Sequence, residues 1–372
     1  MLADVGTDPA PCGIAIHGRH SGLRVYSCND IPMVYHMADI QSDSDDHMGP
    51  ASAIYIYYKS LASLLAVLSL TAKTTYAWGA LGHQTIGFVA QQFLAPKALS
   101  FVETTLGSQY NFSLGPAATW ADEVRSEAAF KWSAPLHFVD AEDNPPNSCS
   151  VNEKRDCGDN DCILGAIANY TTRVVSKSLD AEQIQEALKF IGHLFKFVGD
   201  IGQPLHVEAL EVGGNDISAI CSGSRTNLHA AWDTGIVTKH VSTSHGGTAQ
   251  SYATDLVNEI KTGSFKSLAS SWLSCSSTTE PVSSKRSLDS DLNKFLARAA
   301  EAITPLECPL VWASESNAFD CSVVFSFTTG QDLCTGAYFN NAIPVIDLQI
   351  AKQGFRLAAW LNILFDGATN LP

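Results

Sequence analysis

Several histidines and aspartates stand in apolar stretches of the 372-residue chain, where a charged side chain needs a partner. His193 and Asp200 belong to the stretch GHLFKFVGD, which runs into QPLH ending at His206. His229 and Asp233 are four residues apart in HAAWD, so a helix would place both on one face, close enough to share a cation. Imidazole and carboxylate ligands without cysteine suit catalytic zinc, which keeps a position open for water.

Two further candidates stand in comparable settings, Asp122 in ATWADEVR and His137 in PLHFVD. A lone histidine beside apolar residues is more often a core histidine with satisfied hydrogen bonds than a ligand. Five histidines in suggestive surroundings, three of them near an aspartate, favour a metal site over that alternative.

The elements that would position these residues are predicted to be helices. Apolar residues recur at three- and four-residue spacing over 83–94, 166–175, 181–197 and 349–365. Strict alternation is scarce, and no long flexible linker divides residues 78–372. The sequence therefore predicts one all-α globular domain over 78–372.

Residues 58–77 have the pattern of a secretory signal peptide. Lys59 precedes an apolar run over 61–70, and small residues stand at Thr75 and Ala77, which predicts cleavage before Trp78. The run is too short to span a bilayer. The alternative is a buried helix of a cytosolic domain. A signal peptide belongs at an N-terminus, so residues 1–57 are interpreted as a non-native or disordered extension. Translation would start at Met48, which makes residues 1–47 the non-native part.

Secretion agrees with the cysteines and the sequons. Eight cysteines follow residue 77, and in an exported chain they are expected to form disulfides. Cys157 and Cys162 are close enough for a short-loop bridge, and sequons at Asn111 and Asn169 fit glycosylation on the same route. The net charge of −15 argues against non-specific binding of duplex DNA, but metal ions can neutralise phosphates locally.

Five motifs together resemble the fungal zinc-dependent single-strand-specific nucleases of the S-one/P-one type. They are WGALGH from Trp78, ATWAD ending at Asp122, HFVDAEDNPP from His137, GDIGQPLH ending at His206 and NLHAAWD ending at Asp233. The resemblance covers nearly all of residues 78–370 and implies the helical fold of the zinc phospholipase C/nuclease superfamily. It also implies three zinc ions in one site.

The resemblance assigns a ligand set to each zinc ion. The first ion would be held by Asp122, His137, His193 and Asp200, the second by the amino nitrogen and carbonyl of Trp78 with His83 and a bridging Asp200, and the third by His206, His229 and Asp233. A free α-amine binds a metal only when neutral, and its ordinary pKa of about 8 allows this. Removal of the signal peptide would therefore complete the site.

The roles of Phe138 and Val212 and the pairing of Cys149 follow from the same resemblance. Phe138 and Val212 match positions that pack against a splayed base, which favours single strands; core packing is the alternative for Phe138. Asp140 would orient the attacking water or a ligand histidine, and Arg125 would clamp a phosphate unless it forms a surface salt bridge. Cys149 would pair with Cys321, while Cys221, Cys275, Cys308 and Cys334 have no assigned partner.

The chain departs from the family at its ligand helix. The family has a histidine four residues before the bridging aspartate, but Lys196 stands there and His193 is seven residues before Asp200. Seven residues of straight helix separate the two by about 10 Å, too far for one zinc ion. Residues 194–196 are interpreted as an insertion that the helix absorbs as a bulge, or as retained intron sequence. Residues 285–309 are a second possible insertion.

The predicted function is that of a secreted zinc endonuclease, which would cut single-stranded DNA and RNA to 5′-nucleotides and also act as a 3′-nucleotidase. The substrates would be single-stranded nucleic acid and 3′-nucleotides. A monomer without a stable protein partner or a membrane contact is expected. Two alternatives stay open: a zinc phospholipase C-like esterase, and a secreted zinc-binding glycoprotein whose catalysis is impaired by the insertion at 194–196.

Overall fold

The computed structural model describes residues 78–124, 127–158, 161–191, 194–282 and 303–372. The predicted extension and signal peptide, residues 1–77, lie outside the described residues. So do Arg125, His193 and most of the possible insertion at 285–309. Asp122 lies in a described helix, but its side chain is not described, and the same holds for residues 194–196. Within the described ranges, no helix is long and apolar enough to cross a membrane.

The prediction of an all-α domain is confirmed. The described α-helices are α1 Gly79–Gln91, α2 Pro96–Leu106, α3 Leu114–Ala117, α4 Trp120–Val124, α5 Glu153–Asp156, α6 Ile163–Val174, α7 Ala181–Ile191, α8 Leu194–Asp200, α9 Leu228–Ala230, α10 Val237–Ser244, α11 Ala249–Lys261, α12 Lys266–Ala269, α13 Glu307–Phe319 and α14 Gly336–Asp366. Short 3-10 helices lie at Ser108–Tyr110, Lys131–His137, Pro204–Val207 and Ser270–Leu273, and π-helical turns at Ala231–Ile236 and Asp320–Val324. Glu211–Gly214 forms a one-turn segment whose central residues are left-handed.

A single hairpin accompanies the helices in the described part of the chain. Strand β1, Ser218–Cys221, pairs antiparallel with β2, Ser224–Asn227. Both turn residues, Ser222 and Gly223, have positive φ, as the two-residue turns of such hairpins require. The hairpin leads directly into α9 and so sets where that helix begins.

Helix α14 is the central element of the core. It is buried along most of its length and packs against α1 and α8, because its apolar residues surround the helix rather than form one stripe. Trp360 meets Trp312 edge to face at 5.2 Å, and Phe355 meets Phe93 at 5.0 Å. The predicted helix 349–365 lies within α14. Helices that carry functional side chains are therefore held against one rigid support.

The region predicted as one helix over 181–197 contains two described helices. Helix α7 covers Ala181–Ile191 and α8 covers Leu194–Asp200, with Asp200 as its last residue. The described part of the predicted run is therefore helical.

Four disulfides tie the described helices and loops together. They are Cys149–Cys321, Cys157–Cys162, Cys221–Cys334 and Cys275–Cys308. The first two pairs were predicted, and the other two join cysteines for which no partner was predicted. Cys308, counted with the possible insertion at 285–309, is thus fixed to Cys275. The amide of Val282 donates to the Pro305 carbonyl at 3.0 Å, so the chain on either side of residues 283–302 is close together.

Candidate metal centre

The first cluster of possible ligands consists of His206, His229 and Asp233. The 3-10 helix Pro204–Val207, helix α9 and the following π-helical turn each supply one of them. Nε2 of His229 lies 3.1 Å from Nε2 of His206 and 3.1 Å from Oδ2 of Asp233. All three side chains are buried. Neighbouring ligands around tetrahedral zinc, at bond lengths of about 2.0–2.1 Å, are separated by about 3.3 Å, so the spacing fits this ion.

Backbone carbonyls fix the tautomers of both histidines. Nδ1 of His206 lies 2.7 Å from the carbonyl oxygen of His137, and Nδ1 of His229 lies 2.7 Å from that of Gly213. A carbonyl can only accept, so each Nδ1 carries the proton. In neutral imidazoles, the two facing Nε2 atoms then both present lone pairs. Two facing lone pairs repel each other, and a cation bound between them would remove this repulsion. Histidine ligands of zinc are commonly oriented by such a hydrogen bond from the other ring nitrogen.

The carboxylate of Asp233 is held by a buried amide. Nε2 of Gln203 donates to Oδ1 of Asp233 at 2.5 Å, while Oε1 of Gln203 accepts from the amide of Leu205 at 2.7 Å. Oδ2 of Asp233 is buried and faces Nε2 of His229 at 3.1 Å. An ionised buried oxygen in that position needs a cation, which the two histidines are placed to share.

The second cluster is centred on Asp200. Oδ1 of Asp200 lies 3.2 Å from Nε2 of His83, and Oδ2 lies 3.1 Å from Nδ1 of His137. All three are buried, and neither ring nitrogen of His83 has a hydrogen bond within the described ranges. A carboxylate at the C-terminal end of a helix is disfavoured by the helix dipole. Asp200 is in that position, and a cation on each of its oxygens would offset the cost.

Trp78 lies beside this second cluster and is completely buried. Its indole N–H donates to the carbonyl of Gly199 at 2.9 Å, and α1, which carries His83, begins one residue later. A Cβ on Gly199 would lie 3.0 Å from Nδ1 of His83, so the glycine allows α8 to approach α1 closely. The folded chain therefore places the predicted N-terminal ligand residue next to Asp200.

The side chains of three predicted site residues lie outside the described structure. Asp122 lies in α4, but only its backbone belongs to the described structure, and Arg125 and His193 lie outside it. Of the four ligands assigned to the first zinc ion, only His137 and Asp200 have described side chains, and these two lie together.

The residues predicted to contact a base lie on the surface beside the clusters. Phe138 follows His137 and is 36% exposed, and Val212 is 65% exposed and precedes Gly213, whose carbonyl accepts from His229. Val212 has φ of 58°, which a β-branched residue rarely adopts. Such strain is typical of residues that a functional site requires.

Asp140 lies three residues after His137 and is exposed. It has no hydrogen bond to a candidate ligand among the described residues. Partial burial raises the pKa of its carboxyl above the ordinary value, and the charges of Glu142 and Asp156 raise it further. Asp140 therefore holds a proton more readily than an ordinary aspartate.

His229 titrates above its ordinary range. Burial lowers its pKa, but the charge and hydrogen bond of Asp233 and the Gly213 carbonyl outweigh this, so the net shift is upward. The surroundings of the ring thus favour positive charge, which a proton or a metal ion can supply.

Gln203 and Gly213 were not predicted as site residues. Gln203 stands in the motif GDIGQPLH, three residues before the candidate ligand His206, so its amide could have been predicted to contact the site. Gly213 acts through its carbonyl, and a backbone contact leaves no signal in residue type.

A helical fold that buries two histidine–aspartate clusters, with a strained surface segment beside them, is the arrangement expected of a metal-dependent hydrolase. Comparison with known proteins identifies the family. Residues 78–366 match the family described as S1/P1 Nuclease. The chain belongs to this family and is a nuclease that acts on nucleic acid.

Named relatives match over nearly their whole length. The chain is 41% identical over 289 residues to Nuclease P1 of Penicillium citrinum, and the aligned region is 77% of this chain and 97% of that protein. It is 38% identical over 303 residues to Nuclease S1 of Aspergillus oryzae, covering 80% and 95% respectively. Endonuclease 2 of Arabidopsis thaliana is 31% identical over 309 residues, with 80% and 94% covered.

Proposed function

We propose that this nuclease holds three zinc ions and hydrolyses single-stranded DNA and RNA to 5′-nucleotides, with 3′-nucleotidase activity as a second reaction. The observation that carries the zinc assignment is the approach of the Nε2 atoms of His206 and His229 to 3.1 Å, with the carboxylate of Asp233 beside them. The family match supports nucleic acid as the substrate.

The ligands would divide into three sets, with Asp200 shared between two of them. His206, His229 and Asp233 would hold one ion, and His83 with the amino nitrogen and carbonyl of Trp78 would hold another. Asp122, His137 and His193 would complete the set on the other oxygen of Asp200. When bound, zinc supplies a Lewis acid that activates water and offsets the charge of a phosphodiester.

The remaining residues of the site would bind and orient the substrate. Phe138 and Val212 offer exposed apolar surface against which an unpaired base can stack. A base within a duplex is already stacked and cannot reach them, which accounts for the preference for single strands. Arg125 would hold a phosphate oxygen, and Asp140 would orient the attacking water and exchange its proton.

We further propose that the protein is secreted and acts as a monomer. The signal pattern at residues 58–77 and four disulfides in the described structure support export. The sequons fit the same route: Asn111 is exposed, and Asn169 is partly exposed on α6. Cleavage before Trp78 would free the amino group that the second ion requires.

The test is metal analysis and activity of purified protein that begins at Trp78. We expect about three zinc ions bound at this centre, hydrolysis of single-stranded DNA and RNA well above that of duplex DNA, and release of phosphate from 3′-AMP. His229→Ala should lose one ion and at least about 100-fold in turnover, the order observed when a group that stabilises the transition state is removed. Lys261→Ala, far from the ligands in sequence and at the surface, is the control for handling.

Other outcomes would contradict specific parts of the proposal. Turnover by zinc-free protein would exclude the metal centre. Cleavage of lecithin in place of single-stranded DNA would instead make the protein a phospholipase C-like esterase. One or two ions without turnover would indicate an impaired zinc-binding glycoprotein, as a damaged site around residues 194–196 would produce.

A further inference from the structure

A second group of histidines lies outside the proposed nuclease site. His240 projects from α10, His245 follows that helix, and Asp347 projects from α14. Nε2 of His240 lies 3.0 Å from Nε2 of His245 and 3.0 Å from Oδ1 of Asp347. One ligand atom from each residue lies within 4.8 Å of the other two. Two imidazoles and a carboxylate at this spacing form a donor set for a transition-metal ion.

A carboxylate behind His245 fixes its tautomer. Nδ1 of His245 lies 2.7 Å from Oδ2 of Asp255 on α11, so Nδ1 donates to the carboxylate and Nε2 presents its lone pair to His240. The same arrangement of carboxylate, histidine and metal orients ligands in zinc proteins. Asp255 therefore prepares His245 to bind a metal through Nε2.

The local backbone brings His245 back toward its own helix. The amides of His245 and Gly247 both donate to the Val241 carbonyl at 3.0 Å, and Gly246 and Gly247 have φ of 73° and 79°. Left-handed glycines close the C-terminal end of a helix in this way. The side chain of Thr248 then caps α11 by accepting from the amide of Ser251. His245 is thus held by a built turn rather than by a free loop.

The cluster is packed on one side and open on the other. The ring of Tyr252, which is fully buried, lies 4.6 Å from that of His245 and 5.7 Å from that of His240, and its hydroxyl donates to Asp347. The side chains of His245 and Asp347 are 17% and 24% exposed. Water can therefore reach the donor atoms and complete a coordination sphere.

The charge balance also favours a cation. Asp347 and Asp255 bring two carboxylates to the pair of imidazoles. Among the described residues, neither carboxylate forms an ion pair with a lysine or an arginine. A divalent ion would neutralise this group and join α10, α11 and α14.

We propose that His240, His245 and Asp347 bind a divalent transition-metal ion, with zinc as the expected ion, at a site separate from the nuclease centre. His240 follows Asp233 by seven residues in the helical run from α9 to α10, which corresponds to about 10 Å. The site would therefore add a metal ion to the three proposed above, and its effect would be to stabilise the fold. The test of this site does not depend on those three ions, because it compares the zinc content of variants with that of the parent protein.

The test compares zinc content and thermal unfolding of purified protein that begins at Trp78, after zinc loading and removal of excess metal. His245→Ala should contain one zinc ion fewer per chain than the parent protein. Asp255→Asn should keep the site but bind that ion about 10- to 100-fold more weakly in a chelator competition, as expected for loss of a carboxylate behind a ligand histidine. Ser242→Ala, on the same helix and without a ligand atom in the cluster, should match the parent protein.

Unfolding distinguishes a metal site from a hydrogen-bonded cluster. A bound ion stabilises only the native state, so His245→Ala should melt below the parent protein with zinc present, and the gap should shrink after chelation. Equal zinc content in His245→Ala and the parent protein would overturn the proposal. If His245→Ala does not fold by circular dichroism, Asp255→Asn decides: unchanged affinity for every zinc ion would likewise overturn it.

Discussion

At the scale of single residues, the centre depends on atoms that surround the ligands. Gly213 illustrates this, since its carbonyl fixes the tautomer of His229 while its own backbone has φ of 59°. A Cβ at this position would lie 2.6 Å from the carbonyl oxygen of Leu205, so the glycine permits a close approach of two backbone segments. The position of His229 therefore depends on a residue without a side chain.

We predict that Gly213→Ala lowers both stability and turnover. The strained conformation and the displaced carbonyl should cost about 1–3 kcal/mol of unfolding free energy, and the shift of His229 should reduce zinc affinity. Gly223→Ala is a matched control, because Gly223 also has positive φ but a Cβ there would meet nothing within 4 Å. Urea unfolding and zinc titration measure the two effects. Equal zinc affinities in both variants would show that the Gly213 carbonyl has no part in metal binding.

Part of the centre could be predicted from residue order alone. His229 and Asp233 are neighbours on one helix, so their spacing predicted their contact. The carbonyls that orient His206 and His229 could not be predicted, because they belong to residues 69 and 16 positions away along the chain. The contact between His240 and Asp347 spans 107 positions and follows from the packing of α10 on α14.

At the scale of elements, apolar periodicity predicted the helices that carry the ligands. The predicted helix over 181–197 falls on α7 and α8, which cover Ala181–Ile191 and Leu194–Asp200. Periodicity shows only which face of a helix is apolar, so the three extra residues at 194–196 could be predicted only from the family resemblance.

We predict that deletion of residues 194–196 improves the metal centre. The deletion restores the four-residue spacing between His193 and Asp200 that the resemblance implies, so the ion that these residues share should bind more tightly and turnover should increase. His193→Ala in the deleted chain should remove the gain and is the matched control. Weaker zinc binding and loss of activity on deletion would show that the residues belong to the working enzyme.

A second deletion tests the other possible insertion. Val282 and Pro305 share a hydrogen bond, so replacing residues 285–303 by two glycines needs little rearrangement of the flanking chain. We expect the shortened protein to keep its melting temperature within a few degrees and to keep its turnover. Residues 304–309 are retained because Cys308 pairs with Cys275. Loss of folding after deletion would show that 285–303 contributes to the core.

At the scale of the whole molecule, stability depends on acidic residues that are not predicted ligands. Asp320 is completely buried, and neither carboxyl oxygen has a hydrogen-bond partner among the described residues. Burial raises its pKa well above the ordinary value, and the charges of Glu208 and Asp143 raise it further. Asp332 shows the opposite shift: burial raises its pKa, but the amides of Gly223, Cys334 and Ser222 outweigh this and lower it.

These shifts predict opposite responses to pH. A raised pKa in the folded state means that stability is fully present below the unfolded value of about 3.9 and is lost as pH rises toward the folded pKa. Asp320→Asn should therefore gain stability over the parent protein as pH rises from 3 to 7. Asp332→Asn should be less stable at pH 7, with the gap closing as pH falls. Thermal unfolding of chelated protein measures both, and a less stable Asp320→Asn at pH 7 would contradict the assignment.

The disulfides should differ in their contributions to stability. Cys149–Cys321 joins residues 172 positions apart, while Cys157–Cys162 joins residues 5 apart. Chain-entropy estimates give about 5 kcal/mol for the long loop and about 2 kcal/mol for the short one. Replacing each pair by serines and measuring urea unfolding should give this order. Equal losses would mean that the native contacts around each bridge, rather than loop closure, set its effect.

The two roles of His137 have a consequence for how the protein acquires metal. Its ring lies against Asp200 in one cluster, while its carbonyl holds His206 in the other. An ion that fixes the ring of His137 also steadies the backbone that orients His206, so the first ion bound should raise affinity for the next. Metal uptake should then be cooperative, with few half-loaded molecules during maturation, and zinc starvation should divide the population into full and empty enzyme.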